Sequence, residues 1–171
     1  MNLLEEFRDS FTAEQETEMS ILDYLELCKT ERLAYATSAE RILAAIGEPQ
    51  IIDTSKSDRL GRVFMNRTIK VYPAFEDFYG MEETIERVVG YFVHAAQGLE
   101  EKKQILYLLG PVGAAKSSLA ERIKALVERN PIYVLKAGDE VSPVFETPLG
   151  MFDPSKPLGQ KVMQEYGIPA R

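Results

Sequence analysis

Apolar side chains recur at helical spacing in several segments of the chain. The longest such runs cover residues 81–97 and about 116–129. Shorter runs follow Ser20 and Thr37, each of which has an acid three residues later, as in a capping box. These patterns predict four amphipathic helices, together with a brief fifth helix over about residues 160–166.

The N-terminal segment and the long connector are less regular. Residues 1–17 are rich in Glu, Gln and Thr and are typical of a frayed or partner-dependent helix. Between residues 50 and 72, two isoleucines, a polar stretch and partly alternating β-favouring residues follow one another. This order predicts a short hairpin or an extended connector.

Two β-type runs flank a glycine-rich loop and the helix after it. Residues 104–109 (QILYLL) are largely apolar, as are strands buried on both faces of a parallel sheet. Residues 132–137 (IYVLKA) follow Pro131 and form the second run. Strand, loop, helix and strand in this order predict a βαβ unit. The chain is therefore expected to have an α/β fold with a parallel sheet flanked by helices, preceded by a small helical N-terminal segment.

The loop fits the phosphate-binding pattern G-x-x-x-x-G-K-[ST] at every position except Ala115, which replaces the second glycine. In such loops backbone N–H groups and a helix N-terminus surround nucleotide phosphates. Lys116 is the candidate catalytic phosphate contact, and Ser117 is the candidate Mg²⁺ ligand. The alternative is a plain glycine turn with a solvated lysine, which the positive helix N-terminus disfavours. The predicted nucleotide contacts are Gly110, Pro111, Val112, Gly113, Ala114, Ala115, Lys116, Ser117 and Ser118.

Composition narrows the classes of function. Among 171 residues, 20 Lys and Arg stand against 27 Asp and Glu, which argues against nonspecific nucleic-acid binding. Apolar stretches fall short of the roughly 20 residues of a membrane span, and the acidic N-terminus differs from a secretory signal. We therefore expect a cytoplasmic protein with no nucleic-acid or membrane partner. One Cys and one His exclude a disulfide framework and a Cys/His zinc site.

The loop and its flanks resemble a known family. Residues 72–124 (YPAFEDFYGMEETIERVVGYFVHAAQGLEEKKQILYLLGPVGAAKSSLAERIK) are similar to the N-terminal ATPase domain of PrkA-type proteins, a bacterial AAA+ family described as serine protein kinases. AYATSAERILAAIGEP before them, and SPVFETPL and EYGIPAR after them, extend the resemblance. It implies ATP as the nucleotide, with Mg²⁺, and base contacts from Tyr79, Gly80 and Met81. Plain helix core is the alternative for Met81.

The resemblance also implies a domain division and a set of partners. Residues 1–70 would be a helical segment and connector, and residues 71–171 the N-terminal part of an AAA+ P-loop ATPase domain. The family implies a protein substrate and a homo-oligomeric ring.

The sequence departs from the family in two respects. The family loop typically reads GPVGGGKSS, whereas Ala114 and Ala115 stand here in place of two glycines. No apolar strand ending in paired acids follows the loop, so a Walker B motif and a lid are absent. We therefore expect the ATP-binding portion of a PrkA-like serine protein kinase or ATPase, not catalytically competent alone. The alternative is a non-catalytic interaction or oligomerisation module with a degenerate P-loop.

Overall fold

The computed structural model describes residues 18–130 and 132–169, so the helix predicted over residues 1–17 lies outside the described residues. Tyr35–Tyr133 form one compact unit, and the described parts of Met1–Ala34 and Val134–Arg171 form another. The helices are α1 (Ile21–Thr30), α2 (Ser38–Ile46), α3 (Asp58–Phe64), α4 (Glu82–Ala96), α5 (Lys116–Val127) and α6 (Pro157–Glu165). The strands are β1 (Gln50–Asp53), β2 (Thr68–Val71), β3 (Lys136–Ala137) and β4 (Glu140–Val141).

Helices that carry a clear apolar period and a cap form where the sequence predicts them. Thr37 caps α2 in a full capping box, in which Glu40 accepts a hydrogen bond from the Thr37 backbone at 2.7 Å. The Ser20 side chain accepts from the Asp23 N–H and begins α1. The predictions for α4, α5 and α6 are also confirmed within a few residues.

The core of the Tyr35–Tyr133 unit lies between α2, α4 and α5. Leu119 and Leu126 of α5 are each 1% exposed. Their burial fixes one face of α5 against the unit, so the helix that follows the glycine loop has a defined position. The other buried members of this core are Ile46, Tyr72, Phe75, Ile85, Val88 and Val89.

The connector between α2 and α4 forms the predicted hairpin, with one addition. β1 pairs antiparallel with β2, with Ile51 opposite Lys70. Between the strands lies α3, where the sequence indicated only polar and β-favouring residues. The Ser57 hydroxyl caps this helix by accepting from Leu60 N–H at 3.5 Å.

The second unit is built around α1. This helix buries Tyr24, Leu25 and Cys28, and the Tyr24 hydroxyl donates to the carbonyl of Ala34 at 3.1 Å. The short β3–β4 hairpin and α6 belong to the same unit, and Ile168 after α6 is buried. No helix in the described ranges has both the length and the apolar character needed to cross a bilayer.

The predicted parallel sheet is not present among the described residues, whose strands form only two antiparallel pairs. Residues 105–109 pair with no strand there, although Leu106 and Leu108 pack against the core. In the second run, Leu135 N–H donates to Glu146 O and Leu135 O accepts from Ser142 N–H, each at 2.9 Å. In a parallel sheet, the N–H and C=O groups of a strand form hydrogen bonds with a neighbouring parallel strand. The N–H and C=O groups of Leu135 bond instead to Glu146 and Ser142, which follow it closely in the chain. The described residues therefore form a mixed α and β fold in which the predicted βαβ sheet is not seen.

Candidate functional site

The glycine loop joins the extended run at residues 105–109 to α5 through two residues with positive φ. Gly113 has a φ of 83° and Ala115 a φ of 50°, while Ala114 N–H donates to the carbonyl of Pro111 at 3.3 Å. Glycine adopts this left-handed conformation freely, whereas the Cβ of an alanine makes it unfavourable. The sequence departure at Ala115 therefore falls on a position whose backbone suits glycine.

Lys116 folds back over the loop that precedes it. Its Nζ donates to the carbonyl of Gly110 at 2.7 Å and to that of Pro111 at 2.6 Å. The ammonium group is therefore held inside the curve of the loop by two carbonyl oxygens. A phosphate bound in this curve would replace these two bonds to neutral carbonyls with bonds from the same ammonium group to charged oxygens, which are stronger.

The first turn of α5 offers further donors next to Lys116. N–H groups in the first turn of a helix have no intrahelical acceptor, and the N-cap Ala115 has no side-chain oxygen to accept from them. Ser117 and Ser118 lie exposed in the same turn. Unpaired N–H groups, the positive end of the helix and a lysine fit an anion such as a phosphate.

The candidate metal ligand is a hydroxyl and not a carboxylate cluster. No group of three or more His, Cys, Asp or Glu side chains that could hold a metal ion occurs in the described part of the chain. Mg²⁺ is commonly bound by one or two protein ligands together with substrate phosphates. The exposed Ser117 hydroxyl beside the loop fits such a partial ligand set.

The predicted base contacts lie just before α4. Tyr79 is 88% exposed, Gly80 has a φ of 76°, and Met81 is the N-cap of α4 and packs against the core. Gly80 N–H donates to Glu82 Oε1 at 3.2 Å, while Glu82 Oε2 is buried without a partner. Core packing therefore fixes the turn at Met81, whereas the side chain of Tyr79 is accessible to a ligand.

A cavity of about 700 Å³ separates this turn from α5. One wall is the turn segment, which we define as residues 77–81, and the other is a single face of α5. The cavity brings together four of the predicted site residues, Tyr79, Met81, Ala115 and Ser118. Gly80, Lys116, Ser117 and residues 110–114 do not line it. The remaining lining residues, which the sequence analysis did not identify, are Asp77, Phe78, Glu121, Arg122 and Ala125.

The sequence does contain a signal for some of the lining residues that the sequence analysis did not identify. Ala115, Ser118, Arg122 and Ala125 are spaced by three and four residues, which places them on one face of a helix. Because this face is small and polar, it does not belong to the apolar face that packs into the core. Such a second face, starting at the phosphate loop, could have indicated a wall of the site.

Arg122 connects the two walls of the cavity. Its Nη2 donates to Asp77 Oδ2, and its Cζ lies 6.0 Å from the ring centroid of Phe78. The Phe78 ring in turn meets Phe75 edge to face, with centroids 6.0 Å apart. The turn segment is therefore tied to α5 by an ion pair and an aromatic contact.

Comparison with known proteins gives one family and a small set of relatives. The family model of the PrkA AAA domain matches residues 19–171. A protein of Escherichia coli K12 named serine/threonine kinase YeaG is 54% identical over 171 residues, which is all of this chain and 26% of that protein. A Bacillus subtilis protein named ATP-dependent protease PrkA is 30% identical over 159 residues, 88% of this chain and 22% of that protein.

The extent of these matches differs between the chain and its relatives. The chain spans about a quarter of the length of the curated relatives it matches. No solved structure is significantly similar to it.

Proposed function

The chain belongs to the PrkA AAA domain family, and we propose that it binds ATP with Mg²⁺ through the glycine loop and the adjoining cavity. The observation that carries the proposal is that α5 borders both places. Its N-terminus follows the loop that holds Lys116, and its side lines the cavity opposite Tyr79 and Met81. A nucleotide has a phosphate end and a base end, and this arrangement offers a place for each.

The loop residues divide the phosphate contacts among them. Lys116 would leave the carbonyls of Gly110 and Pro111 and pair with the β and γ phosphates. Backbone N–H groups of residues 113–118 would donate to phosphate oxygens, and Ser117 would hold Mg²⁺. The metal ion, when bound, neutralises phosphate charge.

The base would enter the cavity beside the turn segment. Tyr79 is exposed and can place its ring against a purine, and Met81 supplies an apolar surface at the start of α4. Ser118 lies between this place and the loop, as expected for a residue near the ribose or the α phosphate. Tyr79, Gly80 and Met81 are thus proposed as base contacts, with Gly80 providing the turn between the other two.

The family's relatives connect this binding with two different activities. One is named a kinase and another an ATP-dependent protease. The second name states dependence on ATP, and phosphoryl transfer by a kinase also uses a nucleoside triphosphate, so ATP binding would serve both activities. We propose that the whole protein couples this binding to phosphoryl transfer or to ATP-dependent action on a protein substrate, as a homo-oligomeric ring in the cytoplasm.

Isothermal titration calorimetry with ATP, with and without Mg²⁺, tests the binding proposal. The wild-type chain should bind ATP, and Lys116→Ala should weaken binding at least tenfold because it removes the mobile cation of the loop. Lys124→Ala, an exposed lysine on the same helix, is the matched control and should bind like wild type. Equal and negligible heats from wild type and Lys116→Ala would refute the proposal.

One observation favours a second candidate, an interaction module that does not depend on nucleotide. Ile105, Tyr107 and Leu109 are 91%, 76% and 81% exposed, on the opposite side of their segment from Leu106 and Leu108. Contiguous apolar surface of this kind often marks a protein contact. Sedimentation velocity would support this candidate if the wild-type chain self-associates without ATP and Tyr107→Ser abolishes the association. A wild-type chain that stays monomeric at all concentrations would refute self-association through this surface.

A further inference from the structure

The ion pair between Asp77 and Arg122 bridges the two walls of the cavity rather than lying within one of them. Asp77 precedes the predicted base contacts, and Arg122 lies on α5, 45 positions further along the chain. The Arg122 side chain is 31% exposed and that of Asp77 is 65% exposed. The pair therefore stands at the edge of the cavity, where it can set the distance between the walls.

The two walls are anchored differently. Leu119 and Leu126 bury α5 in the core, which makes this helix the fixed wall. Within the turn segment, Phe78 and Met81 are partly buried against the core, while Tyr79 between them is exposed. Arg122 reaches the beginning of this segment twice, through the Asp77 carboxylate and the Phe78 ring.

We propose that Asp77 and Arg122 are positioning residues for base recognition, which hold the turn segment at the separation from α5 that a purine base requires. This inference rests on the proposed function. It predicts that the ion pair contributes to the affinity for the base of a nucleotide and not to the affinity for its phosphates. The proposed phosphate contacts are residues 110–118, and no side-chain hydrogen bond or ion pair among the described residues joins one of them to the side chain of Asp77 or Arg122.

The charges of the cavity allow positioning to be separated from simple electrostatics. Its lining has two carboxylates, Asp77 and Glu121, and one cation, Arg122. Asp77→Asn removes a negative charge, so electrostatics alone would tighten binding of an anionic nucleotide. Positioning predicts the opposite result, because a neutral amide holds the guanidinium more weakly than the carboxylate does.

The decisive experiment compares ATP with inorganic tripolyphosphate as calorimetric probes of the full chain. Asp77→Asn should weaken ATP binding by about two- to fivefold, the range expected for a partly exposed ion pair. It should leave tripolyphosphate binding unchanged or slightly tighter, which also shows that the loop is intact. Glu76→Gln, which neutralises the neighbouring exposed carboxylate outside the cavity, should match wild type with both probes.

A double-variant cycle gives a second, independent readout. If the two residues act only through each other, adding Asp77→Asn to Arg122→Gln should cause no further loss of ATP affinity. Losses that multiply would contradict a shared role. An equal loss of ATP and tripolyphosphate affinity in Asp77→Asn, or no loss of ATP affinity, would overturn the inference.

The same titrations separate failure of this inference from failure of the proposed function. A wild-type chain that binds neither probe refutes the proposed function and the inference together. A wild-type chain that binds ATP more tightly than tripolyphosphate, with Asp77→Asn equal to wild type, refutes only the role of the ion pair. Equal wild-type affinity for the two probes shows that the cavity does not recognise the base and also refutes that role.

Discussion

Replacing Ala115 with glycine should stabilise the protein, whereas the same replacement at Ala114 should destabilise it. Ala115 has a φ of 50° and a ψ of 17°, which is left-handed backbone. Ala114 is not among the described residues with positive φ. The two alanines are adjacent in one loop and are both partly buried, so they form a matched pair for the effect of the native backbone conformation.

The magnitude follows from two opposing terms. Left-handed backbone costs an L-residue about 1–2 kcal/mol, and glycine at position 115 removes this cost. Glycine also gives the unfolded chain more freedom, which lowers the free energy of unfolding by about 0.4–1 kcal/mol at either position. Ala115→Gly should therefore raise the free energy of unfolding by about 0.8 kcal/mol, and Ala114→Gly should lower it by about 0.4–1 kcal/mol.

The difference between the two variants is better defined than either value alone. The unfolded-state term is the same for both replacements and cancels, which leaves the native strain of about 1–2 kcal/mol. Urea unfolding followed by circular dichroism measures it, because the chain is rich in helix and contains no Trp. The urea dependence of the free energy should stay constant between variants, so that the midpoints report stability directly. Equal midpoints for Ala114→Gly and Ala115→Gly, or a lower midpoint for Ala115→Gly, would refute the reasoning.

Three further predictions concern the interior. Leu119→Ala should lower the free energy of unfolding by about 2–5 kcal/mol, because it leaves a cavity at a side chain that is only 1% exposed. Leu22, which is 64% exposed, is the control, and Leu22→Ala should change the free energy of unfolding by less than about 0.5 kcal/mol. Urea unfolding midpoints compare the two variants. Thr54→Val should cost about 1–2 kcal/mol, since the fully buried Thr54 hydroxyl donates to the carbonyl of Arg67 at 2.6 Å; Thr54→Ser should lose less in the same assay. Burial raises the pKa of the Cys28 thiol, so its contribution to stability is fully present below the unfolded pKa of about 8.5 and is lost as pH rises through the folded pKa. Cys28→Ala should lose less stability than wild type between pH 8 and pH 10, and parallel pH profiles would contradict this.

The helices could be predicted because their signals are local. The Thr37 and Glu40 capping box and the apolar period of residues 81–97 are complete within a few turns of chain, and the structure uses both. The sequence did not predict α3, because its β-favouring residues indicated extended structure more strongly than the cap at Ser57 indicated a helix. Propensity is a weak guide where a short segment carries conflicting signals.

The sheet and the cavity could not be predicted with the same success because both depend on distant residues. Residues 104–109 have the composition of a buried strand, but composition does not specify which backbone pairs with it, and no described strand does. The cavity likewise depends on Asp77 meeting Arg122, which are 45 positions apart. The family resemblance indicated Tyr79 and Met81, and the loop pattern indicated Ala115 and Ser118, whereas the other lining residues, Arg122 among them, required the structure.

The anchoring of α5 has a consequence for how a nucleotide would be held. Because Leu119 and Leu126 fix this helix in the core, adjustment on binding must occur in the loop before it and in the turn segment beside it. The loop can adjust by releasing Lys116 from two carbonyls, and the turn segment by changing the contact between Asp77 and Arg122. These contacts share no residue, so changes to the loop should act on phosphate affinity and changes to the ion pair on base affinity. A nucleotide that joins both places would therefore gain affinity from each independently, provided that α5 keeps its fixed position.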